Sequence, residues 1–188
     1  MEFMELVKKR YSCRKYLEKP VEREKVEKCI ETARLAPSAC NSQPWNFIVV
    51  DDKEKVASLS AAAVSGIYGA PKLMSESPVL IFVTAGRGSF ISKIGGKVRD
   101  TKFYLIDIGI ASEHLVLQAA ELGLGTCYIG WFNEKLVKRE LGLGKGVNIP
   151  LIITIGYPDE SHRSNDITRR HANGGTRKSF EDVMKYHQ

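Results

Sequence analysis

Arg10, Ser12 and Arg14 alternate with Tyr11 and Cys13 near the start of the chain. A guanidinium group presents paired planar donors that match phosphate oxygens better than any other side chain. Two arginines around a serine therefore predict a site for a phosphate group. Surface charge at the end of a helix is the alternative interpretation, and the motif alone does not decide between them.

A second stretch with binding chemistry runs from residue 36 to residue 47 and contains two prolines, two asparagines and a glutamine. Pro37 is expected to end the preceding helix, and Pro44 removes a backbone donor just before a strand. Between them, side chains and backbone amides are expected to face outward. Prolines offer flat apolar contact while Ser38 and Asn41 can donate and accept at ring edges, so the loop suits a planar heteroaromatic ligand. A loop capped by its own serine and asparagine carries equal weight.

Length and composition place these stretches in an ordinary globular protein. A chain of 188 residues fits one domain, taken as residues 1–188. Hydrophobic residues are 43% and charged residues 27%, which excludes the disordered and membrane classes. No apolar run reaches membrane-spanning length, and the first residues lack the pattern of a signal peptide. A cytoplasmic protein without a membrane partner is therefore expected.

The net charge of +6 raises the question of a nucleic-acid partner. Basic residues are mostly interleaved with acidic ones, as in residues 22–25, which is typical of a solvated helix face. The exception is the range 87–102, with five basic residues and one acid. A lid that attracts an anionic ligand and a phosphate-backbone patch are both open there. No RNA- or DNA-binding signature accompanies it, so no nucleic-acid partner is expected.

Cysteine and histidine spacing predicts no metal site. The four cysteines are widely separated without a Cys-x-x-Cys pair, and the four histidines share no ligand spacing. Buried free thiols are the expected state of the cysteines.

Alternating helices and strands predict an α+β or α/β arrangement around a central sheet. The predicted helices cover residues 2–9, 22–36, 54–64, 102–122, 134–141 and 180–186, and the predicted strands cover residues 47–50, 78–83, 126–129 and 149–157. The unalternated apolar run 78–83 predicts a strand covered on both faces. The helix 102–122 is apolar on several faces, so its burial is expected to need a second subunit as well as the sheet. The glycine-rich range 86–97 is a candidate substrate lid.

Four pieces of the chain stand in a defined order: Arg10 to Arg14 after a short helix, the Pro-Ser-x-x-Asn-x-Gln-Pro-Trp stretch at 37–45, a long apolar helix beginning near Asp107, and the range 123–132, in which Gly-Leu-Gly-Thr leads to Tyr-Ile-Gly-Trp-Phe. With these pieces the chain resembles the nitroreductase-like family of FMN-dependent oxidoreductases over nearly its full length. The resemblance implies an α+β fold with a central, mostly antiparallel sheet flanked by helices. It also implies an intertwined homodimer with two shared FMN sites, each built from both chains.

At the phosphate end of such a site, the resemblance assigns Arg10 and Ser12 to the FMN phosphate from one side and Arg177 from the other. It places Arg14 at the pyrimidine edge of the flavin.

At the ring end, the resemblance brings Pro37, Ser38 and Asn41 to the isoalloxazine from the partner subunit. It puts the backbone amide of Gly130 near the reactive flavin nitrogen and Lys72 near the ring.

The implied activity is a reaction in two halves. NADH or NADPH reduces the bound FMN, and a small electron-poor acceptor such as a nitroaromatic or a quinone then takes the electrons. Because the flavin supplies the chemistry, no side chain is assigned as a catalytic residue. Two alternatives stay open: a specialised flavin reaction such as dehalogenation, flavin fragmentation or azoline oxidation, and a flavin-binding module without turnover.

Overall fold

A computed structural model describes residues 2–66, 73–85, 101–163 and 177–187 of the chain. Its residues group into two units, Met1–Pro158 and Asp159–Gln188. The single domain over residues 1–188 stays a prediction. The candidate lid at residues 86–97 and most of the basic range 87–102 lie outside the described residues.

The first unit is built on an antiparallel sheet of four strands in the order β1-β2-β4-β3. The strands are β1 Trp45–Val50, β2 Val79–Ala85, β3 Gly125–Ile129 and β4 Asn148–Gly156. Ile153 of β4 pairs with Ile81 of β2 on one side and with Tyr128 of β3 on the other. The four predicted strands are confirmed, and β1 and β3 form the two edges of the sheet.

The helices of the first unit confirm the predicted ones to within a few residues. They are α1 Phe3–Lys9, α2 Arg23–Arg34, α3 Lys53–Ala63, α4 Phe103–Glu121 and α5 Glu134–Glu140. The helix α2 ends three residues before Pro37, as the proline predicts. Asn133 caps α5 by accepting a hydrogen bond from the amide of Leu136 at 3.2 Å.

The sheet has a hydrophobic core on each face because side chains alternate along β2. Val79, Ile81 and Val83 join the cluster formed with α2 and α4. Leu80 and Phe82 join the cluster formed with α3 and α5. All residues of β2 are buried, which confirms the prediction of a strand covered on both faces.

The long helix α4 packs against α2 and the sheet but leaves one face open in this chain. Its buried positions include Ile108, Ala111 and Leu115. Leu105 is 40% exposed and Ile106 is 52% exposed, although both are large apolar side chains. The helix is thus apolar on several faces, as predicted, and its own chain covers only part of them.

The thiols depart from the prediction at one position. All four cysteines are free, and Cys13, Cys29 and Cys127 are buried. Cys40 is exposed, so the expectation of a buried thiol is wrong there. Cys40 lies in a turn at the surface, where no apolar layer covers it.

In the second unit, the described structure consists of two short helical turns. Asp159 caps the 3₁₀ turn Glu160–His162, and Ser179 caps the helix α6, Phe180–Val183. The predicted helix over residues 180–186 is therefore too long. The backbone at Met184 is already extended, and no residue of α6 is buried, so the described residues of this unit provide no packing that would stabilise a longer helix.

Among the described residues, no helix is long and apolar enough to cross a membrane.

Candidate functional site

Residues 10–16, here called the arginine segment, bring three of the predicted site residues together. Ser12 forms a parallel bridge with Thr126 of the edge strand β3. The cysteine that follows Ser12 is only 1% exposed, whereas Arg10, Ser12 and Arg14 are half-buried. Side chains two residues apart share one side of an extended chain. By this alternation we expect both guanidinium groups and the serine hydroxyl on one side of residues 10–14, beside β3.

The segment is fixed to the sheet by backbone and side-chain contacts. The amide of Cys13 donates to the carbonyl of Thr126 at 2.8 Å. The buried Tyr16 hydroxyl donates to the carbonyl of Cys13 at 3.0 Å and lies 2.6 Å from the hydroxyl of Thr154. Burial is the main cause that raises the pKa of Tyr16 well above its ordinary value, so the phenol stays protonated.

A glycine allows this close approach. A Cβ at Gly125 would lie 2.7 Å from both the Cβ and the Sγ of Cys13. Cβ atoms are tied to the backbone, so a larger residue at position 125 would have to displace the segment.

The arginines have anchors on their own chain. Arg14 donates from Nη1 to the carbonyl of Ser12 at 3.2 Å. Arg10 lies with its Nε 3.9 Å from a carboxylate oxygen of Glu113 on α4. Arg10 also has a side chain only 17% exposed, so most of its length is covered and its position is restricted.

The proline loop, residues 36–44, has an irregular backbone around the turn Ala39–Asn41. Cys40 and Asn41 have φ of 52° and Gln43 has φ of 41°. Such left-handed conformations cost about 1–3 kcal/mol each for residues other than glycine and persist only where surrounding contacts determine them.

Hydrogen bonds within the loop account for part of this geometry. Ser38 Oγ accepts from the amide of Gln43 at 3.0 Å, and Asn41 Oδ1 accepts from Nε2 of Gln43 at 3.0 Å. The loop therefore does cap itself, as the alternative interpretation holds, and the expectation that its amides face outward is wrong for Gln43. The side-chain oxygens of Ser38 and Asn41 accept these bonds, while the hydroxyl proton of Ser38 and the amide NH₂ group of Asn41 remain as donors toward a ligand.

The loop is also held by a buried carboxylate that the sequence motifs did not assign to it. Asp107 of α4 is 3% exposed. It accepts from the amide of Ala39 at 2.9 Å and from the Ser42 hydroxyl at 3.3 Å. The amide of Ala39 thus also points inward. The available signal was a single carboxylate inside the apolar run Leu105–Ile108, because a buried charge needs partners.

Gly130 follows β3 and is exposed, as is the next residue, Trp131, at 64%. A Cβ at Gly130 would meet no atom within 4 Å. The side of the chain at this glycine is therefore open, and a flat group could approach its backbone. Phe132 then returns to the core.

Two predicted site residues, Lys72 and Arg177, stay predictions. Lys72 lies outside the described residues. Arg177 is exposed in the second unit, just before the Ser179 cap of α6.

Pro37 is exposed at the surface of the proline loop. In the ranges that the structure describes, no group of three His, Cys, Asp or Glu side chains could hold a metal ion.

The helix α4 carries the anchors of both elements, Asp107 for the loop and Glu113 for Arg10. Asp107 and Glu113 are six residues apart, so in an α-helix they are separated by about 9 Å along the axis and by an angle of about 120° around it. The proline loop and Arg10 are therefore held on different sides of α4 within one chain.

Comparison with known proteins gives a consistent answer. The model of the nitroreductase family matches residues 7–157. The crystal structure of a nitroreductase family protein from Clostridium novyi NT is 34% identical, covers 86% of this chain and 87% of that one, and superposes with a TM-score of 0.75. An FMN-dependent nitroreductase from Clostridium difficile is 35% identical, with coverage of 84% and 88% and a TM-score of 0.69.

A protein of Methanothermobacter thermautotrophicus named "Putative NADH dehydrogenase/NAD(P)H nitroreductase" is 32% identical over 173 residues, which cover 89% of this chain and 83% of that protein. The antiparallel sheet flanked by helices agrees with these structural neighbours. The chain belongs to the nitroreductase family.

Proposed function

We propose that this protein is an FMN-dependent oxidoreductase that uses NADH or NADPH to reduce small electron-poor acceptors such as nitroaromatics and quinones. The observation that carries the proposal is the arginine segment, in which Arg10, Ser12 and Arg14 stand at alternate, half-buried positions beside β3. Supporting it, the Clostridium difficile neighbour is named for FMN and the Methanothermobacter relative for NAD(P)H.

The donor set fits a phosphorylated flavin. A phosphate monoester carries nearly two negative charges, and each charge-assisted hydrogen bond to it contributes about 1.5–3 kcal/mol. Arg10 and Ser12 would hold the phosphate. Gly130 lies four residues beyond Thr126, the partner of Ser12, and this stretch of chain covers about 13 Å at the rise of a β-strand. The phosphate and ring ends of an extended ligand could thus both lie along β3.

The residues proposed to contact the flavin ring differ in the chemical groups that they present. Gly130 would present an open backbone, and Pro37 a flat apolar surface. Ser38 and Asn41 would present donors at a ring edge. Arg14 would place positive charge at the pyrimidine edge, where it stabilises developing negative charge. Lys72 and Arg177 are retained as proposed ligands on the family resemblance.

When bound, FMN supplies hydride acceptance and donation, which no side chain of this protein could supply. The protein's own contribution would be binding, orientation and positive charge. No side chain is proposed as a nucleophile or as an acid–base catalyst.

We further propose that the site is shared between two copies in a homodimer. The proline loop and Arg10 are anchored on different sides of α4, which favours a ligand held by the loop of one chain and by Arg10 of the other. Apolar side chains exposed on α1 and α4 offer the surface for this association. They are Phe3, Met4, Val7, Leu105, Ile106 and Ile110.

The experiment is an FMN titration of the purified protein, followed by steady-state oxidation of NADH and NADPH with a nitroaromatic and with a quinone. Arg10→Ala should weaken FMN binding about 10- to 100-fold while the dimer stays folded. Arg23→Ala removes the same charge from a 76% exposed side chain paired with Asp51, and it should change the affinity little.

The outcomes separate the alternatives. A protein that shows no flavin spectrum and binds no added FMN contradicts the proposal. Bound FMN without nicotinamide consumption by any acceptor indicates a binding module. Bound FMN that NADH and NADPH both reduce very slowly indicates a specialised flavin reaction.

A further inference from the structure

Glu113 of α4 lies between two groups of the candidate site. One of its carboxylate oxygens is 3.9 Å from Nε of Arg10. The other accepts a hydrogen bond from the hydroxyl of Tyr128 on β3 at 3.2 Å. Its side chain is 47% exposed, against 17% for that of Arg10. The carboxylate therefore connects α4 to the arginine segment and to the strand that leads to Gly130.

The contact with Arg10 uses only one edge of the guanidinium group. Arg10 meets Glu113 through Nε, and this is its only side-chain hydrogen bond or ion pair within the described part of the chain. A guanidinium group has five N–H donors, so the terminal Nη1 and Nη2 keep theirs for a ligand. A partner at Nε restricts rotation of the group, which lowers the entropy lost when the terminal pair binds an anion.

Tyr128 keeps the carboxylate in place. Burial and the neighbouring Glu113 carboxylate both raise the pKa of Tyr128, with a smaller opposing effect from Arg10. The phenol therefore stays protonated near neutral pH and remains a hydrogen-bond donor to Glu113.

We propose that Glu113, anchored by Tyr128, is a positioning residue that orients Arg10 toward the phosphate group of the flavin. The inference rests on the proposed function and adds a residue that acts through Arg10 without touching the ligand. It follows that Glu113 strengthens binding of the phosphorylated flavin and leaves binding of riboflavin, which has no phosphate, nearly unchanged.

A simple charge effect has the opposite sign. A carboxylate near an anion site repels the phosphate, so if Glu113 acted only as a negative charge, its removal would tighten FMN binding. If Glu113 orients Arg10, its removal weakens binding, and only while Arg10 is present. The direction of the change therefore distinguishes the two effects.

The test is a double-mutant cycle on the full-length protein, read as FMN and riboflavin dissociation constants from flavin fluorescence. It uses the unchanged protein, Glu113→Ala, Arg10→Ala and the double variant. Glu121→Ala is the matched control, because Glu121 lies on the same helix and, within the described ranges, its carboxylate accepts a hydrogen bond from Gln118 alone, at 2.6 Å.

Glu113→Ala should weaken FMN binding roughly 5-fold in the unchanged protein and less than about 2-fold in the Arg10→Ala background. The FMN dissociation constant of Glu121→Ala should stay within about 2-fold of that of the unchanged protein. The riboflavin dissociation constant should also change by less than about 2-fold in every variant.

Tighter FMN binding in Glu113→Ala, an equal loss in both backgrounds, or an equal loss for riboflavin would each overturn the inference. If the unchanged protein bound FMN and Glu113→Ala bound it equally well, the inference alone would fail. If the unchanged protein bound no FMN, the proposed function itself would fail.

Discussion

The arginine segment and the proline loop are two short connections of similar length that the fold holds in opposite ways. The segment is extended and joined to the edge strand β3 by backbone bonding between Cys13 and Thr126. The loop has three residues with positive φ and depends on side chains, above all Asp107. One element is held by an isolated backbone bridge and by the buried Tyr16 hydroxyl, and the other by its own hydrogen bonds and the buried Asp107.

This difference teaches where each element is sensitive to mutation. The bridge to β3 is made by backbone atoms, so side-chain changes at Arg10, Ser12 or Arg14 should leave it in place, whereas a change that blocks the approach of the two backbones should not. A loop with strained dihedral angles keeps its shape only while its specific partners remain.

The largest contrast concerns thiol reactivity. Cys13 in the segment is 1% exposed, whereas Cys40 in the loop is exposed. Burial also raises the pKa of Cys29 to about 12, so only about one thiol in 10⁴ is ionised there at pH 8. Labelling of the native protein with a thiol reagent should modify Cys40 about 10³-fold or more faster than the buried cysteines, which react only on opening.

The measurement is peptide mass spectrometry of the labelled protein over time, with the unfolded protein as the control in which all four cysteines react. Comparable rates for Cys13 and Cys40 would show that the segment opens as readily as the loop.

Gly125→Ala should destabilise the segment and the protein. The added Cβ would lie 2.7 Å from Cys13 Cβ, and forcing the two apart should cost about 1–3 kcal/mol. Gly146→Ala is the control, because a Cβ there meets nothing within 4 Å. Chemical denaturation measures both variants, and equal stability of the two would contradict the close approach.

Asp107→Ala should release the loop with a smaller effect on global stability. The change leaves the amide of Ala39 and the hydroxyl of Ser42 without their acceptor, at about 1–2 kcal/mol. Hydrogen exchange of residues 38–43 should speed up while exchange in β3 stays slow. Asp107→Asn retains one oxygen acceptor, so its exchange rates should lie between those of the unchanged protein and of Asp107→Ala. Unchanged exchange in Asp107→Ala would show that other contacts hold the loop.

A smaller effect concerns the loss of stability in acid just after the arginine segment. There the amide of Leu17 donates to the carbonyl of Tyr157 at 2.9 Å. The Tyr157 hydroxyl donates to Glu22 at 2.6 Å and Lys25 lies 3.3 Å from the same carboxylate. The hydrogen bond from Tyr157 is the main cause that lowers the pKa of Glu22 from 4.5 to about 2.

Because the folded pKa of Glu22 is depressed, its contribution to stability is present above about pH 5 and is lost as the pH falls toward 2. The stability difference between the unchanged protein and Glu22→Gln should therefore be constant near neutral pH and shrink between about pH 4.5 and 2. Glu22 is exposed, so added salt should reduce the difference. Glu24→Gln serves as the control, and a pH-independent difference for Glu22→Gln would contradict the assignment.

Much of the fold could be predicted from local pattern. The run 78–83 is apolar without alternation and becomes the buried strand β2, because a strand covered on both faces needs apolar side chains at every position. The helix α6 could not be bounded this way. Its sequence continues with acceptable helix formers, but the described residues provide no buried surface to extend it.

The candidate site was predictable as a set of residue types and less so as an arrangement. Arg10, Ser12 and Arg14 could be singled out because guanidinium groups and a hydroxyl at alternate positions have an evident use. Glu113 could not, because a carboxylate on a long helix acquires a role only from the chain that packs beside it, and the position of Asp107 in an apolar run indicated burial without naming its partners. The partners of Ser38 and Asn41 were equally hidden, since they depend on the positive φ angles of the turn.

The sequence by itself determined the order of strands and helices, the chemistry of the arginine segment and the family to which the chain belongs. Those features follow from residue type and short-range spacing, which side-chain periodicity and proline geometry translate directly into local structure. Only the tertiary structure decided that β3 receives the arginine segment, that Asp107 supports the proline loop and that α4 holds the two apart. Such contacts join residues distant along the chain, and packing between whole elements selects them.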